Sequence, residues 1–582
     1  MIKKLLKAPE LYCAILLLVG VVFVLAAQVK VKNAVLTQGN TQKEVSLPLL
    51  ESLGDGALFK VSFDIEQKLD VPFEIKVIPD DCAQFVTINN QRIPLHDMPG
   101  RCDYSKGFVL SQKFISEHRN GTTTHFEFEI RNGGGPAGLT VFPKESSFLY
   151  DVLKYSTMAL LALLCMFLAR RLGMSRMLCI LVLLGVFIRA LFFAGIPYTT
   201  YSNDVDGHVS YVQYIAENLA IPDKDYCWTC YHPPVYYTIA MPSFKVASWM
   251  GIQGTSGLQA FSLLLSVLTL FFGLLFLRKT LRGGSLNIAS LLWTLWPVLI
   301  MVAPRISNDQ MFIFLHVFCM WAGINYLKSG RGKYLVLAAI ATPLAYWTKT
   351  TAVVTLGMFF LFAVGGYFLN ARYLKATKSE VVAWVVFVLT LAGIVVQKLV
   401  ADSALVGNAH ALNHKLMVPN EFVNYVYLDL KSYLTYPFTS AWDDSMGREY
   451  FWNYTLKSSL FGEFRLGEST PIKVLASLVG TTLLGLIAYA VRGFWKTKSS
   501  AEYWVVFLNG FAFIAALMAF RIMVPYSCSN DFRFIVPVLL SFVYFVALGV
   551  NVEGGSAKWK VVGNALVVVF ALCSAVLYIL AI

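Results

Sequence analysis

Apolar runs of about twenty residues, the length that crosses a bilayer as a helix, recur along this chain with short basic loops between them. They fall near 11–27, 152–170, 176–195, 258–277, 285–303, 310–327, 334–349, 351–369, 380–399, 472–491, 503–521, 533–550 and 561–580, which predicts about thirteen helices. Two stretches break that rhythm. From 28 to 150 the pattern changes to alternation: 58–65, 73–78 and 126–130 place apolar and polar residues in turn, as half-buried antiparallel strands do. Asn89-Asn90 and Gly133-Gly134-Gly135-Pro136 punctuate this region as turns. The fold class is therefore a polytopic α-helical membrane protein with a β-sandwich near its N-terminus. The expected domains are an anchor at 1–27, a sandwich at 28–150 and a helical membrane domain at 151–582. The second break, 400–471, is a long loop rich in aromatic and charged residues, of a size that usually carries function or local structure. A third segment, 233–250, is too short and too proline-punctuated to span, and predicts a helix lying along the interface.

Composition agrees and removes some classes. Hydrophobic residues make up 57% and charged residues 14%, against roughly 25% charged in a soluble globule. The net charge of +13 would suit nucleic acid, but the cations sit in short loops: Lys3-Lys4, Arg170-Arg171, Arg278-Lys279, Lys328-Arg331, Arg372-Lys375, Arg492-Lys496 and Lys558-Lys560. Alternating the spans from a cytoplasmic N-terminus puts all of these clusters inside, as the positive-inside rule asks. The same alternation leaves 28–151, 196–257, 304–309, 400–471 and 522–532 outside. Lysine and arginine alone fix it, yet the acidic motifs all fall on the outer side. The segment 11–27 reads as a retained anchor, with Ala26-Ala27-Gln28 a weak site for the alternative, cleavage. Cys82 and Cys102 share an outer segment where oxidation is permitted, which predicts a disulfide. Cys227 and Cys230 form C-x-x-C, read as a local disulfide, since a zinc site would need more ligands than His232 supplies. Cys528 has no evident partner.

The chemistry gathers in a few motifs. They are Asn203-Asp204-Val205-Asp206-Gly207-His208, Tyr231-His232-Pro233-Pro234-Val235-Tyr236-Tyr237, Ile306-Ser307-Asn308-Asp309, Trp347-Thr348-Lys349, the stretch around Gly462-Glu463-Phe464, and Asn530-Asp531-Phe532-Arg533-Phe534. Ionisable groups at the mouth of a membrane bundle are expensive and mark chemistry or transport. In their order, over about 176 to 550, these motifs resemble the GT-C superfamily of integral-membrane glycosyltransferases. That superfamily includes protein O-mannosyltransferases and the lipid A aminoarabinose transferase, which use polyprenyl-phosphate sugars. The resemblance implies that Asp204 is the catalytic base, that Asp309 is a second acid, and that Lys349 and Arg533 hold the donor phosphate.

Physical chemistry supports such roles and leaves alternatives beside them. An acceptor hydroxyl needs a base, and a partly desolvated carboxylate beside another acid is suited to that task. A leaving phosphate calls for fixed cations, and arginine can bond two of its oxygens at once. Arg305 lies at the depth of that phosphate. Asp206 could share the catalytic role, bind a metal or cap the following helix, and capping is also open to Asp204 and Asp309. His208, His232, Tyr236, Asp531 and Glu463 are candidates for positioning substrate; Tyr236 and Tyr237 also suit the headgroup belt. Arg521 reads as a snorkelling residue. Asp443, Asp444 and Arg448 either contact substrate or are solvated.

The reading is a glycosyltransferase that moves a sugar from a polyprenyl-phosphate donor to a glycan, lipid or protein acceptor, with inversion, on the extracytoplasmic face of a bacterial inner membrane. It requires no cofactor, although the outer carboxylates leave Mg²⁺ or Mn²⁺ open. The order of the sandwich segments resembles galactose-binding-like jelly rolls without carrying their binding residues, so a spacer or docking module is as good a reading. The rival is a secondary transporter or flippase of lipid-linked glycans. Transporters keep charges at the midplane of broken, inverted-repeat helices, and no repeat is visible here. Asn120-Gly121-Thr122 and Asn453-Tyr454-Thr455 would be glycosylation acceptors in a eukaryotic lumen.

Overall fold

The structure is a computed structural model that describes residues 9–45, 47, 49–53, 56–67, 69–103, 107–119, 121–133, 136–369, 377–400, 414–497 and 499–582. Lys3, Lys4, Asn120, Arg372, Lys375 and the first part of the long loop, 401–413, lie outside the described residues. The chain forms two compact units, Met1–Leu164 and Cys165–Ile582.

In the first unit, helix α1 (Pro9–Ala27) takes Pro9 in its first turn, where the missing N–H costs nothing. Gly20 of α1 leaves no room for a Cβ against Thr157, so α1 lies close on the first part of helix α3 (Phe148–Arg171). Between them, ten strands form two antiparallel sheets. The first sheet has the order β2 (Thr41–Glu44), β1 (Lys30–Gln38), β4 (Leu58–Glu66), β9 (Thr123–Arg131), β6 (Cys82–Ile88) and β7 (Gln91–Pro94). The second has the order β3 (Leu49–Ser52), β10 (Pro136–Glu145), β5 (Phe73–Asp80) and β8 (Phe108–Leu110). The short helix α2 (Gln112–Ser116) follows β8.

The alternation in the sequence sets which side chains face inward. Phe59, Val61, Phe63 and Ile65 of β4 are buried in one core with Ile75 and Val77 of β5 and Leu139 of β10. Phe63 stacks on Phe126 at 5.6 Å and on Phe128 at 5.9 Å. Asn89 and Asn90 turn β6 into β7 with φ of 47° and 73°. Two left-handed residues match the twist of a two-residue hairpin, and asparagine tolerates that region. Cys82 and Cys102 are disulfide-bonded.

The second unit is helical. Among the described residues of the whole chain, nine helices are long and apolar enough to cross a membrane: α1, α3, α4 (Arg176–Gly195), α7 (Gly254–Thr280), α10 (Asn308–Ser329), α13 (Lys378–Val400), α17 (Thr470–Lys496), α18 (Ala501–Met523) and α20 (Ala557–Leu580). Helices α11 (Gly332–Tyr346), α12 (Val353–Leu369) and α19 (Val538–Val550) are shorter and apolar. This is a multi-pass membrane protein.

Two expected spans differ in form, and prolines cause both differences. The run 285–303 is not one helix. Helix α8 (Gly283–Leu295) stops, Trp296 is extended with ψ of 127°, and α9 (Pro297–Met301) begins afresh. Pro297 has no N–H to donate and biases Trp296 away from helical ψ. Buried Arg189 donates to the Thr294 carbonyl freed by this break, at 2.9 Å, and to Gly185 O and Ser266 Oγ. The run 533–550 becomes helical only at Val538, after Pro537. Arg533 therefore lies in a short 3₁₀ turn, Phe532–Phe534.

The outer loops are structured. Helix α5 (Val205–Asn218) follows the first motif and α6 (Val235–Trp249) the second. The long loop carries α14 (Phe422–Val426), α15 (Leu430–Thr435) and α16 (Phe451–Phe461). Helices α17 and α19 meet backbone to backbone: a Cβ on Gly493 would collide with Phe545 O, and one on Gly549 with Tyr489 O.

Candidate active site

Asp204 sits at the N-cap position of α5, with φ of 54° and no side-chain capping bond. Capping, the simpler alternative for this residue, does not use its carboxylate. Instead Oδ1 accepts from Trp228 Nε1 at 3.1 Å and Oδ2 lies 3.7 Å from Arg533 Nη1. Left-handed backbone is uncommon for a non-glycine residue, though aspartate tolerates it better than most. Trp228 is held between Cys227 and Cys230, which are disulfide-bonded. Gly207 permits that loop to lie on α5, since a Cβ there would meet Thr229 at 2.9 Å.

Asp309 follows the N-cap Ser307 in the first turn of α10, where the helix dipole favours a carboxylate. It forms a buried ion pair with Lys349. Lys349 is brought there by the extended link after α11. The Trp347 carbonyl accepts from Val235 N of α6 at 3.1 Å, and the Thr348 carbonyl from Asn308 Nδ2 of α10 at 3.3 Å. Its ammonium lies 4.7 Å from the centre of the Phe534 ring, and the Arg533 guanidinium 5.0 Å from the same ring.

Arg533 joins the two halves. Its Nε is 3.4 Å from Asp531 Oδ2, while its Nη1 faces Asp204. Burial works against its charge, but the surrounding acids, Asp531 first, together outweigh that, raise its pKa and keep it charged. Arg305, which follows α9, donates through Nε to Tyr201 O at 3.0 Å and covers the Phe464 ring. Glu463 enters from the end of α16. Gly462 makes the turn, with φ of 57° and ψ of −148°, a region almost reserved for glycine. Burial, then the neighbouring Asp531, pushes the Glu463 carboxyl up to about 7. Asp531 is also raised by burial.

Several candidates lie elsewhere or do other work. Asp206 points outward from the first turn of α5 and forms no ion pair with these cations among the described residues. His208 is buried and its Nδ1 is 2.9 Å from the Tyr237 hydroxyl. It stacks with His232, ring centroids 6.1 Å apart, and burial holds both rings down to about 3, hence neutral at ordinary pH. Tyr236 and Tyr237 are fully buried, which corrects their assignment to a headgroup belt: Tyr237 packs on Tyr211 at 3.8 Å instead. Arg521 does not snorkel. It is buried, donating to Pro419 O at 2.6 Å, because the loop folds back over the end of α18. Arg448 is likewise buried, on Asp444 Oδ1 at 2.6 Å and Ala441 O, so it shapes the loop.

Sequence reasoning passed over Tyr454 and the surroundings of Cys528. Tyr454 is one buried residue of α16 with no pattern to single it out. Cys528 lies in the turn before Asp531; burial, then Glu463, pushes its thiol up to about 12, so it is inert at neutral pH. Among the described residues no three of His, Cys, Asp and Glu converge as metal ligands. The carboxylates face cations instead.

Fold and site together define a multi-pass membrane protein with a cluster of paired acids and bases at the ends of its helices. Structures of the oligosaccharyltransferase of Archaeoglobus fulgidus are similar to this chain. The apo form matches at 16% identity and a TM-score of 0.39, over 70% of this chain and 55% of that one. The complex with an inhibitory peptide and a dolichol-phosphate matches at 15% and 0.39, over 69% and 55%. The form tethered to an acceptor peptide matches at 14% and 0.40, over 69% and 54%. The chain thus spans about half the length of these structures. No family model matches the chain, and no curated protein does.

Proposed function

We propose that this protein is a GT-C-type glycosyltransferase that moves a sugar from a polyprenyl-phosphate donor to a glycan, lipid or protein acceptor. The observation that carries the reading is Arg533, which meets Asp204 on one side and Asp531 on the other, beside the Lys349–Asp309 pair. A candidate base and the cations for a leaving phosphate thus occupy one site, as displacement at an anomeric carbon requires. Asp204 is the exposed acid of the cluster and takes the acceptor proton. Arg533, Lys349 and Arg305 carry the charge that develops on the phosphate, and Asp309 sets the position of Lys349. The attack comes opposite the phosphate and inverts the anomeric centre. The site faces the extracytoplasmic side of an inner membrane, because the basic loops lie at the other ends of the spans.

The test uses the full-length protein in detergent, labelled polyprenyl-phosphate sugars and a membrane extract as acceptor pool. Transfer by wild type should fall by about 10²–10⁴-fold in Asp204→Asn with the melting temperature retained, and should persist in EDTA. Transfer that is equal in wild type and variant removes Asp204 as base. Transfer that EDTA abolishes and Mg²⁺ or Mn²⁺ restores replaces the cationic side chains with a metal. Failure of every donor removes the transferase reading.

A further inference from the structure

The Glu463 end of the cluster is built differently from the Asp204 end. Asp204 is open to solvent and already bonded. Around Glu463, buried polar atoms are poorly satisfied among the described residues: Arg305 Nη2 completes no hydrogen bond, and the Tyr454 hydroxyl and the Glu463 carboxyl meet each other without completing a well-formed one. Tyr454 is fully buried and Arg305 nearly so, and the Tyr454 hydroxyl faces the Glu463 carboxyl. Such groups cost free energy in a finished interior, so a set of them beside a charged site suits a place that holds a polar ligand.

The pieces are fixed from three elements. Helix α16 carries Tyr454 and, past the Gly462 turn, Glu463. Phe532 N donates to Ser458 Oγ of α16 at 3.0 Å and Thr455 Oγ1 donates to Asn530 O at 3.0 Å, which hold the Asp531 turn against that helix. Tyr201 O fixes Arg305, and Tyr201 donates to Leu466 O at 3.2 Å beyond Glu463.

We propose that Tyr454, Glu463, Asp531 and Arg305 line a subsite that grips the hydroxyls of the donor's sugar, with Glu463 as a hydrogen-bond donor. This rests on the transferase reading and adds to it where the sugar is read. A sugar hydroxyl both donates and accepts, so it suits a surface that mixes donors (Arg305, Tyr454) with an acceptor (Asp531). Charge points the same way. The cluster sets the acids Asp204, Asp309, Asp531 and Glu463 against Lys349, Arg305 and Arg533. With one proton on the Glu463–Asp531 pair the charges balance, and a neutral ring disturbs nothing. The groups facing Glu463 are Asp531 and Arg533 from one turn, Cys528 from the turn before it, Tyr454 from α16 and Arg305 from the segment after α9. Since the Glu463 carboxyl is held up to about 7, it donates below that pH and loses its proton above it.

The experiment measures binding of two kinds of lipid to the full-length protein in detergent: polyprenyl phosphate, and polyprenyl-phosphate mannose, glucose and galactose. Glu463→Ala and Tyr454→Phe should weaken at least one sugar-bearing lipid tenfold at pH 6.5 and leave polyprenyl phosphate within twofold. Lys349→Gln should weaken both kinds. Raising the pH to 8.5 should weaken the sugar-bearing lipid for wild type but not for Glu463→Gln, whose amide keeps a donor. The donor is a phosphodiester of constant charge over this range, so the pH effect belongs to the protein. Equal loss of both lipids, no loss, or a Glu463→Gln protein as weak as Glu463→Ala overturns the inference. Wild type that binds neither kind of lipid strikes at the transferase reading itself, which separates the two failures. Melting temperatures exclude misfolded variants, and Tyr454→Phe stands if Glu463→Ala fails to fold.

Discussion

Lys349 and Asp309 are both buried and each is the other's nearest opposite charge. Removing one partner of such a pair strands the other, at a cost of about 3–5 kcal/mol, whereas removing both can be nearly neutral. Asp309→Asn and Lys349→Met should therefore each lower the melting temperature in detergent. The double variant should recover most of that loss while remaining inactive. If the double variant melts no higher than the worse single one, the pair is not coupled as described. Glu463 differs in kind, because its raised carboxyl pKa makes the folded state prefer the proton. Its contribution to stability is present at low pH and fades as pH rises through about 7, which Glu463→Gln should abolish.

At the scale of elements, the site depends on how α17 and α19 pack, because α19 continues from the Asp531–Arg533 segment. Their contact at Gly493 and Gly549 leaves no space for a methyl group, as at small-residue crossings of membrane helices. Gly549→Ala should destabilise by roughly 1–3 kcal/mol through overpacking and should lower activity by moving Arg533. Gly357→Ala, in α12 with nothing near its Cβ, should be neutral or gain up to about 1 kcal/mol in helix propensity. Thermal melting of the two proteins side by side checks both signs, and equal effects refute the packing argument. The elements themselves were largely legible. Most predicted apolar runs fall on a single helix, 285–303 and 533–550 being the exceptions, and the alternation of 58–65 matches the four inward residues of β4. The break at Pro297 was hidden because hydropathy does not register a missing N–H. Tyr236 and Tyr237 were misread because period alone cannot distinguish an aromatic at an interface from one buried beneath a loop.

For the molecule as a whole, the sequence indicated which motifs share a membrane side, but not that they touch. Asp204, Asp309, Lys349, Glu463 and Arg533 come from five separate segments, and only packing shows that Arg533 bridges while Asp206 stays apart. The sidedness can be tested directly. The free cysteines lie in helices or are partly covered, so engineered thiols report cleanly. Trp442→Cys, in the exposed loop, should react with a membrane-impermeant maleimide on intact spheroplasts. Arg331→Cys, in a basic loop, should react only after permeabilisation. The reverse result inverts the topology and the compartment of the site.

The scatter of the site along the chain also sets a timetable for its making. Asp309 can meet Lys349 as soon as α10 and α11 have entered the membrane. Arg533, by contrast, leaves the ribosome when most of the chain is already inserted. Until then Asp204 has no arginine facing it, and Glu463 lacks its Asp531 neighbour. A nascent chain halted before Arg533 therefore lacks the residue that meets both Asp204 and Asp531, and the cluster is completed only late in synthesis.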